Sequence, residues 1–482
     1  MVLAVHKRMF ATAVFVLCFL WVHSVYAQDE SQSSGGEKPK AAGTSFPTPI
    51  GSGEQEQGDQ TNLSPDIVPL TGVLNPTLGA PETPHSYWIP GVQWSGSVQS
   101  NSYNQTANSS SGWIMNNFII GNLSLLKVWP GAQLAVNYSG GGFFSTDSTQ
   151  GNGSYQQLAV SQAFQWNRWQ VQLIDQFSYL PQTSLGFGGG TGLGVPGTGG
   201  SLGPVIPGIG TGYQPNQGIY DAVGPRYSNA SVAQITYITS PRGSITLSGS
   251  YAFLDFVQAG SVDSQSPTAT IGYNYVLTRE DTIGAFYRFS SYHFSGEPDA
   301  FGDHSFNLAY GRKLTGRLAL QAYAGPSFTT SRISTNGETT AHGINVGASL
   351  SVGIRRGGLS ASYSHGITGG SGVLTGSTAD QLNFGANHAL GRVWTAQANM
   401  GYAHNTPIQG FGPSLAATYN TWTFGGGVNR PIGRTSSLGI AYNATLTKHS
   451  SANCSGTGCN PNQTYNYVTI NFQWHTRPFI LP

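Results

Sequence analysis

The sequence predicts an all-β fold, a closed antiparallel transmembrane β-barrel of about 18 strands, with 16 and 20 as the bounds of that count. Three observations predict it. Long stretches alternate between apolar and small polar residues, the signature of strands with one greasy face. Only 9% of the 482 residues are charged, against about 25% in ordinary globular chains. Short tight turns also alternate with long polar connections, the asymmetry of a barrel whose two rims face different compartments.

The clearest stretch is Ile344 to Tyr363. Ile344, Val346, Ala348, Leu350, Val352 and Ile354 alternate with Asn345, Gly347, Ser349, Ser351 and Gly353. After Arg355-Arg356-Gly357-Gly358 the alternation resumes as Leu359, Ala361 and Tyr363. The pair reads as an antiparallel hairpin with one apolar face. Its polar face is Ser, Asn and Gly rather than charge, which suits lipid outside and a wet lumen inside. A helical membrane protein is excluded, because beyond the N-terminus no run of about 18 apolar residues exists. The formal charge is +1, and nothing in it invites nucleic acid.

In chain order, His6-Lys7-Arg8 precede an apolar run from Met9 to Val22, and Val25-Tyr26-Ala27 offer a cleavage site. Residues 1–27 therefore read as a secretory signal peptide, with Cys18 lost on maturation. Residues 28–90 are rich in Ser, Gly, Pro, Glu and Gln without periodicity, and are expected to form a disordered periplasmic segment. It is either a linker or a peptide that enters and plugs the barrel. Tyr87 and Trp88 stand just before the expected barrel, residues 91–482, as first members of an interfacial aromatic belt.

Tight turns are expected near Trp129-Pro130-Gly131, Asn167, Ser240 to Gly243, Arg279 to Asp281, Thr315 to Arg317, Arg355 to Gly358, Leu390 to Arg392 and Pro431 to Arg434. Long connections are expected around Asn101 to Gly112, Gly140 to Gly153, Pro181 to Pro225, Val257 to Pro267, His293 to His304, Thr329 to His342, His365 to Thr378, His404 to Pro413 and His449 to Gln463. Eight turns and nine loops join 18 strands, an even number that returns both ends to one side. Alternation places Arg288, Asn345, Ser349, Gln397 and Asn399 toward the lumen. It places Asp175 in lipid, and a β-bulge at Leu173-Ile174 is expected to turn that carboxylate inward.

The export signal, the turn and loop asymmetry and a final strand Val468-Ile470-Phe472-Trp474 resemble a porin-type outer-membrane barrel of Gram-negative bacteria. The resemblance covers roughly Gly91 to Trp474 and is architectural. In that family the last strand ends on a C-terminal aromatic residue, whereas here His475 to Pro482 follow. The family's third long loop folds into the lumen and narrows it. By that resemblance the connection from Pro181 to Pro225 supplies the constriction, with Leu185, Phe187, Leu193, Val205, Ile209, Asp221 and Arg226 as its candidate residues. Asp221 is the only charge between Pro181 and Gly224, so the expected solutes are small, hydrophilic and mostly neutral.

Cys454 and Cys459 flank Ser-Gly-Thr-Gly in an exported chain and are expected to form a disulfide. A two-thiolate metal site is the alternative, but no third ligand completes it, and neither metal nor cofactor is expected. His293, His304, His342, His365, His404 and His449 recur at loop mouths as amphipathic rim residues. His293-Phe294-Ser295 is similar to the His-x-Ser pairing of outer-membrane lipid hydrolases, with Glu297 placed to orient the His, but Gly296 stands where the Asn of that pattern belongs. The reading that follows is a non-enzymatic passive channel in the outer membrane. Its alternatives are a plugged, structural or export-associated barrel and, remotely, the hydrolase. The expected partners are outer-membrane lipid, small hydrophilic solutes and the barrel-assembly machinery, with a homo-oligomer compatible.

Overall fold

The computed structural model describes residues 70–72, 85–100, 113–146, 152–180, 225–257, 262–295, 301–315, 317–333, 337–368, 376–408, 418–449 and 462–481. Residues 1–27, read above as a signal peptide, all of the segment 28–90 but 70–72 and 85–90, the expected constriction residues Leu185, Phe187, Leu193, Val205, Ile209 and Asp221, Glu297, and the pair Cys454 and Cys459 lie outside them.

Eighteen long strands follow one another: β1 (Tyr87–Ser100), β2 (Trp113–Trp129), β3 (Ala132–Ser145), β4 (Gly153–Trp166), β5 (Trp169–Leu180), β6 (Arg226–Ser240), β7 (Gly243–Phe256), β8 (Ser264–Val276), β9 (Asp281–Phe294), β10 (Phe301–Thr315), β11 (Leu318–Ile333), β12 (Gly337–Ile354), β13 (Gly357–Thr368), β14 (Ser377–Leu390), β15 (Trp394–Pro407), β16 (Tyr419–Ile432), β17 (Ser436–His449) and β18 (Asn462–His475). A two-residue strand, β19 (Phe479–Ile480), comes last. Each long strand pairs antiparallel with its neighbours in sequence, and β1 pairs with β18 from Gly91↔His475 to Gln99↔Tyr467. The sheet is thereby a closed barrel, the architecture of a porin-type outer-membrane protein, and no long edge strand is left unpaired.

All eight short turns stand where the sequence places them, between β2 and β3 and then between every second pair of strands to β16 and β17. Asn167 accommodates its turn at φ 50° and Gly433 at φ 72°, the left-handed region such reversals demand. Exposed arginines crowd this rim, among them Arg168, Arg242, Arg279, Arg355, Arg356, Arg392 and Arg434.

The side-chain pattern is inverted relative to a soluble protein. In β8, Ile271 and Tyr273 are exposed while Thr270 and Asn274 are buried; Leu308 on β10 is 73% exposed while Ser305 and Asn307 are buried. Holding one such apolar side chain in water forfeits about 1.5–3 kcal/mol, and the same row recurs around the barrel as Trp94, Ile119, Leu247, Ile344, Phe384, Ile440 and Ile470. Only a lipid exterior makes this arrangement favourable. Toward the long-loop end, tyrosines on that face donate their hydroxyls to polar groups on the next strand: Tyr138 to Gln156, Tyr251 to Gln265, Tyr363 to Asp380, Tyr402 to Asn420 and Tyr442 to Asn466. Such pairs mark where the apolar band gives way to polar surroundings.

Four boundaries differ from those read in the sequence. The first strand starts at Tyr87 rather than Gly91, because Tyr87 and Trp88 pair with both Leu126-Leu125 and Ile480-Phe479. The connection expected over Thr329 to His342 is largely strand, since ladder pairing runs up to Ile333↔Gly337, and that over His293 to His304 is shortened at both ends by β9 and β10, whose pairing reaches Phe301↔Tyr292. The chain end also regains its aromatic. Gly91 faces His475 while Trp88 faces Phe479, so one extra residue is absorbed over Thr476-Arg477-Pro478. Phe479 then stacks on Trp88 at 4.8 Å.

The bulge expected at Leu173-Ile174 is absent. Pairing of β5 runs without interruption through Leu173↔Ala233, Ile174↔Val232 and Asp175↔Ser231, and Asp175 stays on the lipid-facing side. Its charge is met there by hydrogen bonds instead. Ser231 Oγ donates to Asp175 Oδ1 at 2.5 Å and Asn229 Nδ2 to the same oxygen at 3.0 Å. The register shifts that do occur lie beside short turns, between Ile238 and Ser240 and between Lys313 and Thr315.

Candidate functional site: the barrel lumen

The inner face is assembled from the residues that alternate with the lipid-facing rows. Arg288 and Asn345 are buried on it, Ser349 is half-buried, and Gln397 and Asn399 are exposed. Around Gln397 and Asn399, Ser360, Ser362 and Asn387 are exposed on the same face of β13 to β15, leaving a polar, uncharged strip open to solvent. Elsewhere on this face the hydroxyls of Ser95, Ser161, Ser248, Ser250 and Thr469 and the amide of Asn405 make no hydrogen bond among the described residues. Buried polar groups of this kind are tolerated where water reaches them and cost about 1–3 kcal/mol each where it does not.

Charge is sparse on this wall. Arg226, the one constriction candidate within the described residues, begins β6 at the long-loop end and is buried. Arg288 on β9 is directly opposite Ser305, and Asp303 on β10 is directly opposite Ser290, so the two charged residues lie diagonally across one ladder. Thr329 Oγ1 donates to Asp303 Oδ1 at 3.2 Å, and Thr268 Oγ1 to Ser290 Oγ at 3.1 Å. The result is a hydroxyl-lined layer holding one cation and one anion.

Above that layer, toward the long loops, lies an apolar bridge. Tyr292 and Phe294 of β9, Phe301 of β10 and Ile408 beyond β15 form one buried cluster, with Val262 and Ile367 packed against it. The ring of Phe301 lies 4.7 Å from that of Tyr292 and 5.7 Å from that of Phe294. Tyr292 also donates its hydroxyl to the Ile367 carbonyl at 3.4 Å, which ties β9 to β13 past the three strands β10, β11 and β12. The sequence reading missed these residues, although carrying the inward parity of Arg288 forward to 290, 292 and 294 leads straight to them.

At the opposite, short-turn end, three residues from before the barrel lie against the inner wall. Thr71 is 1% exposed. Its N–H donates to Asn274 Oδ1 at 3.2 Å, and Asn274 Nδ2 donates to Thr71 Oγ1 at 2.9 Å. Asn274 Nδ2 also reaches Thr246 Oγ1 at 3.2 Å. Leu70 packs over Gly311, Thr71 over Gly272 and Gly284, and Gly72 against the Gln234 side chain.

Of the expected hydrolase residues, His293 and Ser295 each take another partner, and Glu297 lies outside the described residues. His293 Nε2 lies 3.1 Å from Ser291 Oγ, while Ser295 Oγ accepts the Asp263 N–H at 2.9 Å. His304, His365 and His404 sit on lipid-facing rows with Tyr287, Asp380 and Asn420 as their partners, and His342 packs edge-on against Phe328. Among the described residues no group of three or more His, Cys, Asp or Glu could hold a metal ion.

No family model matches the chain, and no curated protein does. Solved structures of similar architecture include the outer membrane protein opdK from Pseudomonas aeruginosa, at 9% identity over 81% of this chain and 99% of that one, with a TM-score of 0.40. Pseudomonas aeruginosa OccK2 (OpdF) follows at 9% identity, 80% and 98% coverage and a TM-score of 0.42. A BenF-like porin from Pseudomonas fluorescens Pf-5 gives 9%, 82% and 99%, and 0.41. Likenesses this distant carry no argument about what the chain transports.

Proposed function

We propose that this barrel is a passive channel of the bacterial outer membrane for small, mostly neutral hydrophilic solutes, with its short turns toward the periplasm. The observation that carries the reading is the polar, uncharged inner strip of Ser360, Ser362, Asn387, Gln397 and Asn399, open to solvent inside an apolar exterior. Side chains of this kind exchange hydrogen bonds with water and with hydroxylated solutes at little cost, and their lack of charge gives neither ion sign an advantage. A barrel of this strand number encloses an aqueous lumen unless something fills it. The apolar bridge of Tyr292, Phe294, Phe301 and Ile408 is then the candidate constriction toward the long loops.

Reconstitution tests this. The purified barrel in planar bilayers gives discrete conductance steps with weak ion selectivity, and in liposomes it admits small neutral sugars faster than organic ions of equal size. Silent bilayers together with intact, non-swelling liposomes would overturn the channel.

A further inference from the structure

The contacts of Leu70, Thr71 and Gly72 are those of a peptide in a binding site. Three neighbouring strands, β8, β9 and β10, present Gly272, Gly284 and Gly311 on the inner wall, stepped by two residues from strand to strand, with Gly284 opposite Asn274 and Ala309, Gly272 opposite Phe286 and Gly311 opposite Thr282. A Cβ at Gly272 would stand 2.5 Å from Thr71 Cβ, one at Gly284 2.9 Å from Thr71 Cγ2, and one at Gly311 2.9 Å from Leu70 Cδ2. The peptide fills a groove that the absence of side chains creates. Recognition is polar as well. Asn274 reads both the backbone N–H and the hydroxyl of Thr71, and Thr246 fixes the Asn274 amide from the neighbouring strand. Because the amide both accepts and donates, only a residue with a free N–H and a side-chain acceptor at that height satisfies it.

We propose that the inner wall near the short-turn mouth is a receptor site for a Leu-Thr-Gly peptide segment, occupied by the chain's own Leu70-Thr71-Gly72. Occupancy narrows the channel from that side. The consequence for conductance rests on the channel reading above; the existence of the site does not. The site is intramolecular, so the tether keeps the local concentration of the segment high and the site is filled without tight intrinsic affinity. A peptide or solute offering the same N–H and hydroxyl in the lumen competes with the segment and widens the path.

Two measurements on the full-length protein separate the two claims. In a background lacking Cys454 and Cys459, the double variant Gly72→Cys with Gln234→Cys sets a thiol on each side of the contact between the segment and the wall, and shortening Gln234 frees the space that a Cβ at position 72 enters. It forms an intramolecular bridge on oxidation, and adding Asn274→Ala lowers its yield. Thr71→Pro removes the donated N–H without touching the barrel, and raises the mean single-channel conductance relative to wild type. The oxidised double-cysteine protein shows the lower, steady conductance and returns to wild-type behaviour on reduction. A correctly folded, heat-modifiable barrel that never cross-links overturns the site. Cross-linking with conductance unchanged between oxidised, reduced and Thr71→Pro proteins overturns the narrowing. Cross-linking in a protein that is silent in every form counts against the channel and upholds the site.

Discussion

Ser231 gives its hydroxyl hydrogen to Asp175 across 2.5 Å on the lipid-facing side of two neighbouring strands, and Asn229 shares the same carboxylate oxygen. Sequence parity alone puts this aspartate in an unfavourable place, and the barrel answers with donors rather than with a kink. Removing those donors is therefore costly. Ser231→Ala with Asn229→Ala is expected to lower stability in lipid vesicles by about 1–3 kcal/mol, because the carboxylate loses its partners. Asp175→Leu in that same double variant should restore the loss. Urea unfolding of the vesicle-embedded barrel measures both, and an unaffected double variant would show that lipid headgroups or water already serve the carboxylate.

The apolar bridge predicts a second outcome. Phe301→Ala leaves Tyr292 and Phe294 without the ring that stacks on both. The long-loop mouth should then conduct more and exclude larger neutral sugars less sharply. Phe and Trp truncations in tight cores cost about 3–5 kcal/mol, so heat-modifiable migration has to confirm the fold first. A folded variant with the wild-type size cut-off would place the limiting point elsewhere.

Wall charge gives a third. Asp303 and Arg288 lie diagonally on one ladder, with Thr329 donating to Asp303. Asp303→Asn keeps size and hydrogen bonding but leaves Arg288 as the charge of that layer. Reversal potentials in a salt gradient should shift toward anions. No shift would mean that this layer lies off the ion path.

The seam supplies a fourth. Phe479 stacks on Trp88 at 4.8 Å where β19 pairs with β1. An aromatic pair is worth about 0.5–1.5 kcal/mol beyond its buried area. Phe479→Ala should slow assembly into vesicles more than Phe479→Trp does. Equal rates for the two would show that the last aromatic is dispensable.

How far these features could be read in advance follows from their physics. Strand number, turn positions and the facing of Arg288 or Ile271 are local consequences of a two-residue period, and so are legible in any stretch such as Ile344 to Ile354. Asp175 was misassigned because period alone does not tell whether a misplaced charge is cured by a bulge in its own strand or by Ser231, more than fifty residues away in sequence. The seat of Thr71 was equally hidden. Leu-Thr-Gly is unremarkable in composition, and Gly272, Gly284 and Gly311 read as three glycines among 66 until the ladder sets them on three neighbouring strands under one segment. The inward aromatic Tyr292 is available to parity, whereas Phe301 falls inside the connection expected over His293 to His304, where no parity is read.

Closure between Gly91 and His475 has a consequence for biogenesis. Those partners stand nearly four hundred residues apart, so the last ladder forms only once the chain from β1 to β18 is all in place. Until then β1 and β18 are bare templates, and either one pairs as readily with a strand of another molecule as with its own mate. Loop-closure entropy grows only slowly with length, so distance does not forbid the match, but contacts so remote in sequence form late. The interval before zipping is when this chain is most exposed to aggregation and proteolysis, and a catalyst that holds the two ends side by side would shorten it.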